Sequence, residues 1–250
     1  MSYEDQKSTI IQILKHERVS STENLVSKLY FSRSTLRRVL IQMEDEGLVR
    51  RSHGRVELVD PSRHENPANR RFEVHQDEKL QVSKKALPLI RNGMVIFLDS
   101  SSTIYRLSGF LKEFEDLKII TNGLHVAMNL RNLRRSEIYI CPGRIRPGST
   151  SVIGEIAVDF IDSFHADLAI FSCKSIDPRG GYEGDSSQAM IKMLMARQSK
   201  ETALLFDHHK IHEKGYYRSF TFPDINYLVC DCELPNALKV ITEEHGCQIL

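Results

Sequence analysis

The sequence predicts two units. The first is a small helical module ending in a short β-ribbon, and the second is a larger α/β domain built on a largely parallel sheet covered by helices. Three observations carry this. Residues 32–54 read as a capped amphipathic helix, an acidic turn and a basic ribbon. Beyond residue 94, six short apolar runs each end at a polar cluster. Between the two patterns lies a polar stretch with Pro61 and Pro67 and no apolar period, the composition of a linker.

In chain order, residues from about Asp5 to His16 place Ile10, Ile13 and Leu14 on one stripe, as in an amphipathic helix. Ser20 to Glu23 has the spacing of a capping box before Leu25, Val26 and Leu29, which predicts a second helix. Ser32 is placed to cap a third, running to about Met43. At 100° per residue, Leu36, Val39, Leu40 and Met43 share one face, and Ser34, Arg37, Arg38 and Ile41 share the opposite one. Gly47 closes that helix, and residues 48–51 and 55–59 read as two strands joined by a turn at His53-Gly54. Three helices and a ribbon make a winged helix-turn-helix, placed at residues 1–60.

Charge gives this module a partner. Residues 28–55 hold seven basic and three acidic side chains, a local balance of +4 in a chain whose total is only +1. Double-stranded DNA is held largely by phosphate neutralisation, so a concentrated patch matters more than the total. Arg33, Ser34, Thr35, Arg37, Arg38, Arg51, His53 and Arg55 are the expected contacts. Their guanidiniums, hydroxyls and imidazole suit phosphates and base edges.

Composition excludes several classes. At 250 residues and 41% hydrophobic, the chain has enough apolar material for two cores. No run approaches the roughly 18 apolar residues of a membrane span, and the start lacks the apolar core of a signal peptide, so a cytoplasmic location is expected. Five cysteines without a CxxC pair argue against a disulfide framework or a structural zinc site, and are read as free thiols. His208, His209 and His212 form the one histidine cluster, but HHxxH on a loop is a poor zinc spacing, so no metal is expected.

After a linker at 61–74, the second domain is expected at residues 75–250, and would also carry assembly into a homodimer or homotetramer. A helical pattern runs from Phe72 to about Arg91, with Pro88 as an interruption. The apolar runs at 95–98, 117–120, 138–141, 168–171, 203–206 and 227–230 mostly precede helical stretches, the signature of a parallel sheet covered on both faces. Ligands of such sheets bind at the carboxyl ends of the strands. The richest end is Asp99-Ser100-Ser101-Ser102-Thr103, where hydroxyls meet the start of a helix and could cradle a phosphate. Thr121 and Asn122, then Gly143, then Lys210, lie at neighbouring ends. Together they outline an anion site.

The chain resembles the DeoR family of bacterial transcription regulators over nearly its whole length. Ser32, Thr35, Leu36, Arg37, Arg38, Val39 and Leu40 fall on that family's Ser-x-x-Thr-Ile-Arg-Arg-Asp-Leu pattern, and His53-Gly54-Arg55 on its His-Gly-Gly wing. Asp99 to Thr103 resembles its Asp-Ser-Gly-Thr-Thr loop, Thr121-Asn122 its Thr-Asn-Ser, and Lys192 a lysine in the helix before the next strand. Its Asp-Ser-Ser-Lys is here Asp207-His208-His209-Lys210, and its Gly-Ala-Asp-Gly-Ile-Asp is Ser172-Cys173-Lys174-Ser175-Ile176-Asp177.

The resemblance implies a sensor domain similar in fold to ribose-5-phosphate isomerase and glucosamine-6-phosphate deaminase. It implies a repressor of a carbohydrate-metabolism operon, without cofactor, that responds to a phosphorylated sugar or related metabolite. The alternative is a sugar-phosphate isomerase-like enzyme carrying a DNA-binding domain. Lys174 stands where such an isomerase would need an acid, and could instead help hold a phosphate.

Overall fold

In the computed structural model the described residues are 3–17, 19–29, 31–45, 48–52, 54–58, 68–211, 213 and 215–250. The expectations that rest on Gly47, His53, His212 and residues 59–67 lie outside them. The chain divides into two compact units, Met1–Arg70 and Arg71–Leu250.

The first unit runs α1 (Tyr3–Glu17), β1 (Val19–Ser21), α2 (Thr22–Leu29), α3 (Arg33–Asp45), β2 (Val49–Ser52) and β3 (Arg55–Leu58). The apolar stripes drive its packing. Ile10 and Leu14 of α1, Leu25 and Leu29 of α2, and Leu36, Val39, Leu40 and Met43 of α3 form one buried cluster with Val49 and Val56 of the ribbon. Full burial of each larger side chain stabilises the fold by about 1.5–3 kcal/mol, so the face read from the sequence is the face that packs.

Two details differ from expectation. The cap of α2 is Ser21, whose Oγ accepts the Asn24 N–H at 3.1 Å, whereas Ser20 turns inward and accepts from Asn24 Nδ2 at 2.8 Å. The ribbon also gains a third strand: Ser20 pairs with Val56, giving the order β1-β3-β2.

Helix α4 (Ala68–Glu73), in part of the stretch read as linker, runs across the boundary between the units, and α5 (Gln76–Ala86) follows in the second. Pro88 sits in a 3₁₀ turn at Leu87–Leu89 that ends α5. Then follow β4 (Val95–Leu98), α6 (Ser102–Ser108), β5 (Lys118–Thr121), α7 (Leu124–Leu130), β6 (Glu137–Ile140), β7 (Arg144–Ile145), β8 (Val152–Ile153) and α8 (Glu155–Asp162). The chain continues with β9 (Ala166–Ser172), β10 (Ser175–Asp177), β11 (Gly180–Glu183), α9 (Ser186–Arg197), β12 (Ser199–Phe206), β13 (Tyr217–Phe220), β14 (Tyr227–Cys230), α10 (Asn236–Glu244) and β15 (Gln248–Ile249).

The main sheet has seven strands in the order β15-β14-β12-β9-β4-β5-β6, and every neighbouring pair is parallel. Side chains alternate between its faces. Ile96, Leu98, Leu168, Ile170, Ala203, Leu205 and Val229 pack with Val82, Leu107 and Leu130 of α5, α6 and α7. Phe97, Ala169, Phe171, Leu204, Phe206 and Leu228 pack with Ile161, Met195 and Leu238 of α8, α9 and α10. Apolar residues on both faces explain why these strands read as continuous apolar runs rather than alternating ones.

From β4 the chain first builds outward through β5 and β6, then returns to build β9, β12, β14 and β15 on the other side. The order therefore reverses between β4 and β9, which is where open parallel sheets bind ligands. The loops beyond β4 and β5 pack closely there: a Cβ on Gly123 would lie 2.8 Å from Ser100 Cα. Because the obstacle is backbone, Gly123→Ala is expected to cost about 1–3 kcal/mol, read as a lower urea midpoint at unchanged slope.

Candidate DNA-binding surface and effector site

The third helix is built to present its polar face. Ser32 Oγ accepts the Thr35 N–H at 3.1 Å and bonds Ser34 Oγ and Thr35 Oγ1, closing the helix start. With Leu36, Val39, Leu40 and Met43 buried, Arg33, Ser34, Arg37, Arg38 and Ile41 face outward. Arg33 and Arg37 line one groove with Arg51, Ser52, Gly54 and Arg55 of the ribbon and Thr22 at the start of α2.

The ribbon is held in place relative to the helix. Gly54, at φ +77°, adopts the left-handed conformation of the tip, and its carbonyl accepts both the N–H and the Oγ1–H of Thr22 at 2.8 Å. Arg51 donates its backbone N–H and its Nε–H to the carboxylate of Glu44 at 2.8 and 2.7 Å. Burial acts to raise Glu44, but the bonds from Arg51 hold it below the ordinary carboxylate value. Arg51 thus fastens the ribbon to α3, and the exposed arginines of helix and ribbon are Arg33, Arg37, Arg38, Arg50 and Arg55.

At the sheet reversal, Asp99, Ser101 and Lys192 of the expected effector residues meet in a buried ionic centre. Asp99 is fully buried; its Oδ1 accepts from the backbone N–H and Oγ–H of Ser101, and its Oδ2 accepts the Ser172 N–H at the end of β9. Ser101 Oγ in turn caps α6 by accepting the Ile104 N–H at 3.3 Å. Lys192, from α9, places Nζ 2.8 Å from Asp99 Oδ2, 2.6 Å from Glu183 Oε1 and 2.6 Å from the Ser172 carbonyl. Burial alone would pull that ammonium down, yet Asp99 and Glu183 raise it above its ordinary value. One ammonium between two carboxylates leaves the centre at −1, so Lys192 offers a phosphate no unbalanced charge. It ties together the ends of β4, β9 and β11.

Around this centre the hydroxyls gather. Ser100 Oγ lies 2.6 Å from Ser151 Oγ, and Ser102 and Thr103 are buried in the first turn of α6. Thr121 Oγ1 accepts the Gly123 N–H at 3.0 Å, and Asn122 Nδ2 donates to the Val152 carbonyl at 3.1 Å. Asn122 Oδ1 is buried without a hydrogen-bond partner among the described residues, as are both carboxylate oxygens of Asp207 at the end of β12. Lys174 is buried just beyond β9, and its N–H donates to the Tyr182 carbonyl. Lys210 is half-buried in the 3₁₀ turn after β12. Gly143, exposed, packs against Ile153 in the β7–β8 hairpin, beyond the end of β6.

Sequence reading missed Ser151, Gln188 and Glu183. Ser149, Thr150 and Ser151 repeat the hydroxyl run of Ser100 to Thr103, a signal that was available. Gln188 Oε1 lies 3.5 Å from Ser100 Oγ, and nothing in its surroundings marks it. Glu183 is found by asking what neutralises a lysine on the apolar side of α9.

Comparison with known proteins resolves the family. Residues 7–62 match the DeoR-like helix-turn-helix domain, and residues 74–232 the DeoR C terminal sensor domain. The chain belongs to the DeoR family.

This DeoR-family chain is 28% identical over 238 residues to the glycerol-3-phosphate regulon repressor of Escherichia coli (strain K12), covering 94% of each chain. It is 26% identical to the HTH-type transcriptional repressor GlcR of Bacillus subtilis (strain 168), covering 100% of this chain and 96% of that one. The L-fucose operon activator of Escherichia coli (strain K12) is 25% identical over 90% of this chain and 93% of its own length. Among solved structures, ribose 5-phosphate isomerase A from Methanocaldococcus jannaschii overlaps 54% of each chain with a TM-score of 0.40 and 18% identity. Among the described residues no helix is long and apolar enough to cross a membrane.

Proposed function

We propose that this protein is a ligand-responsive repressor that binds an operator of a carbohydrate-metabolism operon in the cytoplasm. It releases the DNA when a phosphorylated sugar or related metabolite occupies its sensor domain. The observation that carries the proposal is the joining, in one chain, of an arginine-lined groove between helix and ribbon to a sheet whose reversal point is rimmed with hydroxyls. Relatives named as a glycerol-3-phosphate regulon repressor and an L-fucose operon activator support the effector class.

In this reading α3 enters the major groove with Arg33, Ser34, Arg37 and Arg38, while Arg55 reaches phosphate from the ribbon. Thr35 and Arg51 hold these groups in position. Ser100, Ser102, Thr103, Thr121 and Asn122 bind the effector's hydroxyls and phosphate, with Lys174 and Lys210 as cations. Asp99, Ser101 and Lys192 fix the loops they stand on. Assembly as a homodimer or homotetramer through the second unit would give the multivalency that a single small reading head needs.

A panel of sugar phosphates, glycerol 3-phosphate included, is expected to raise the melting temperature of the wild type. The same panel should leave Ser102→Asp unshifted, because an added carboxylate repels phosphate. No shift in the wild type with any phosphorylated compound would contradict the effector class. The buried Asp207 carboxylate near Lys210 is the one feature that favours an isomerase-like enzyme. Turnover of any panel member, followed by NMR, would decide for that reading, and none is expected.

A further inference from the structure

The loop after β12 carries two histidines where the family pattern has two serines, and the fold gives one of them partners 131 and more residues away in the sequence. His209 stacks on His75, which immediately precedes α5, with ring centroids 3.7 Å apart. Its Nε2 lies 3.5 Å from Oε1 of Glu78, in the first turn of α5. His75 stands at the N-cap of α5 in the left-handed conformation, at φ 53°, three residues before Glu78. One donor atom from each of His75, Glu78 and His209 lies within 4.8 Å of the other two.

Two imidazole nitrogens and a carboxylate oxygen are the donor set of divalent transition metals, and three protein ligands leave a further coordination position open. At metal–donor distances of about 2.0–2.2 Å, tetrahedral geometry sets donor separations of about 3.3–3.6 Å, so the three donors, now within 4.8 Å of one another, close around an ion by side-chain rotations of up to about 1.5 Å. His75 is exposed and Glu78 and His209 are half-buried, so an ion can arrive from solvent. His75 is within electrostatic reach of the buried Asp207 carboxylate, which attracts a cation, and of the Lys79 ammonium, which opposes one.

A second trio, His208, Asp231 and Cys232, is adjacent. There His208 Nδ1 and the His208 backbone N–H already bond the two oxygens of Asp231 at 2.6 and 2.8 Å, so those donors are committed to each other.

We propose that His75, Glu78 and His209 form a binding site for a divalent transition-metal ion. The ion ties the start of α5 to the loop that bears Asp207 and Lys210. Its effect is to stiffen one wall of the sensor site from the side where the chain arrives from the first unit's sequence.

The test is titration of tag-free, chelator-dialysed full-length protein with Co²⁺, followed by visible absorption, and with Zn²⁺, followed by calorimetry. One ion per chain is expected, with d–d bands and no thiolate-to-cobalt charge-transfer band. Affinity should fall about tenfold or more in His75→Ala and His209→Asn, and remain unchanged in Cys232→Ser. Far-ultraviolet circular dichroism checks that the variants fold, and Glu78→Gln, which keeps the side-chain shape, carries the test if one of them does not. Absence of saturable binding, binding unaltered by these substitutions, or a charge-transfer band lost in Cys232→Ser would overturn the proposal.

Discussion

Lys192→Met is expected to destabilise the sensor domain by about 3–5 kcal/mol, the largest effect of any single substitution considered. Lys192 is 4% exposed, and its ammonium lies between two carboxylates that are themselves buried. Removing it leaves the buried Asp99 and Glu183 carboxylates facing one another at the meeting point of β4, β9 and β11. Lys192→Met combined with Glu183→Gln restores the centre's charge of −1 and is expected to recover a substantial part of the loss. Urea unfolding of the three proteins measures all of this. A cost below about 1 kcal/mol in the single variant, the range of an exposed pair, would show that the centre is not the keystone described.

Arg37→Ala with Arg38→Ala is expected to abolish operator binding while leaving both units folded. The two guanidiniums stand on the exposed face of α3, and the cluster that holds the helix, Leu36, Val39, Leu40 and Met43, is untouched by their removal. At about 1–3 kcal/mol per guanidinium contact, each reading head loses roughly 30-fold in affinity at the low end, and a symmetric dimer loses this twice. Gel shift reads the binding and circular dichroism the fold. An operator affinity unchanged in the double variant would remove α3 from the interface. Arg51→Ala is different in kind: it frees the ribbon from Glu44, so its effect on binding should be accompanied by lower stability of the first unit.

The parts of the fold visible in the sequence are those whose pattern is set locally. The buried face of α3 followed from the period of Leu36, Val39, Leu40 and Met43, and the main sheet from apolar runs such as 95–98 and 227–230 that must be covered on both sides. What stayed hidden is defined by pairing across sequence distance. Strand β1 has three residues and exists because Ser20 pairs with Val56. The sheet of β10, β11 and β13 brings together Gly181 and Phe220, and its strands are too short and polar to carry a period.

The site divides the same way. Asp99, the serines after it, Thr121 and Asn122 were legible because strand-end loops are continuous in sequence. The balancing of Lys192 by Glu183 was not, since it depends on β11 folding back beside α9. The partners of His209 were hidden for the same reason: a histidine spacing within one loop says nothing about a helix that begins at Gln76.

If sensor occupancy controls DNA affinity, fluorescence anisotropy of a labelled operator fragment will report it. Wild-type protein bound to the fragment is titrated with each phosphorylated sugar and with its unphosphorylated counterpart, at one fixed salt concentration because phosphate contacts make affinity salt-dependent. At least one phosphorylated compound is expected to weaken binding about tenfold or more, a coupling of about 1.4 kcal/mol, and its unphosphorylated counterpart is not. Operator affinity unmoved by every phosphorylated compound, or moved equally by both forms, would contradict that control.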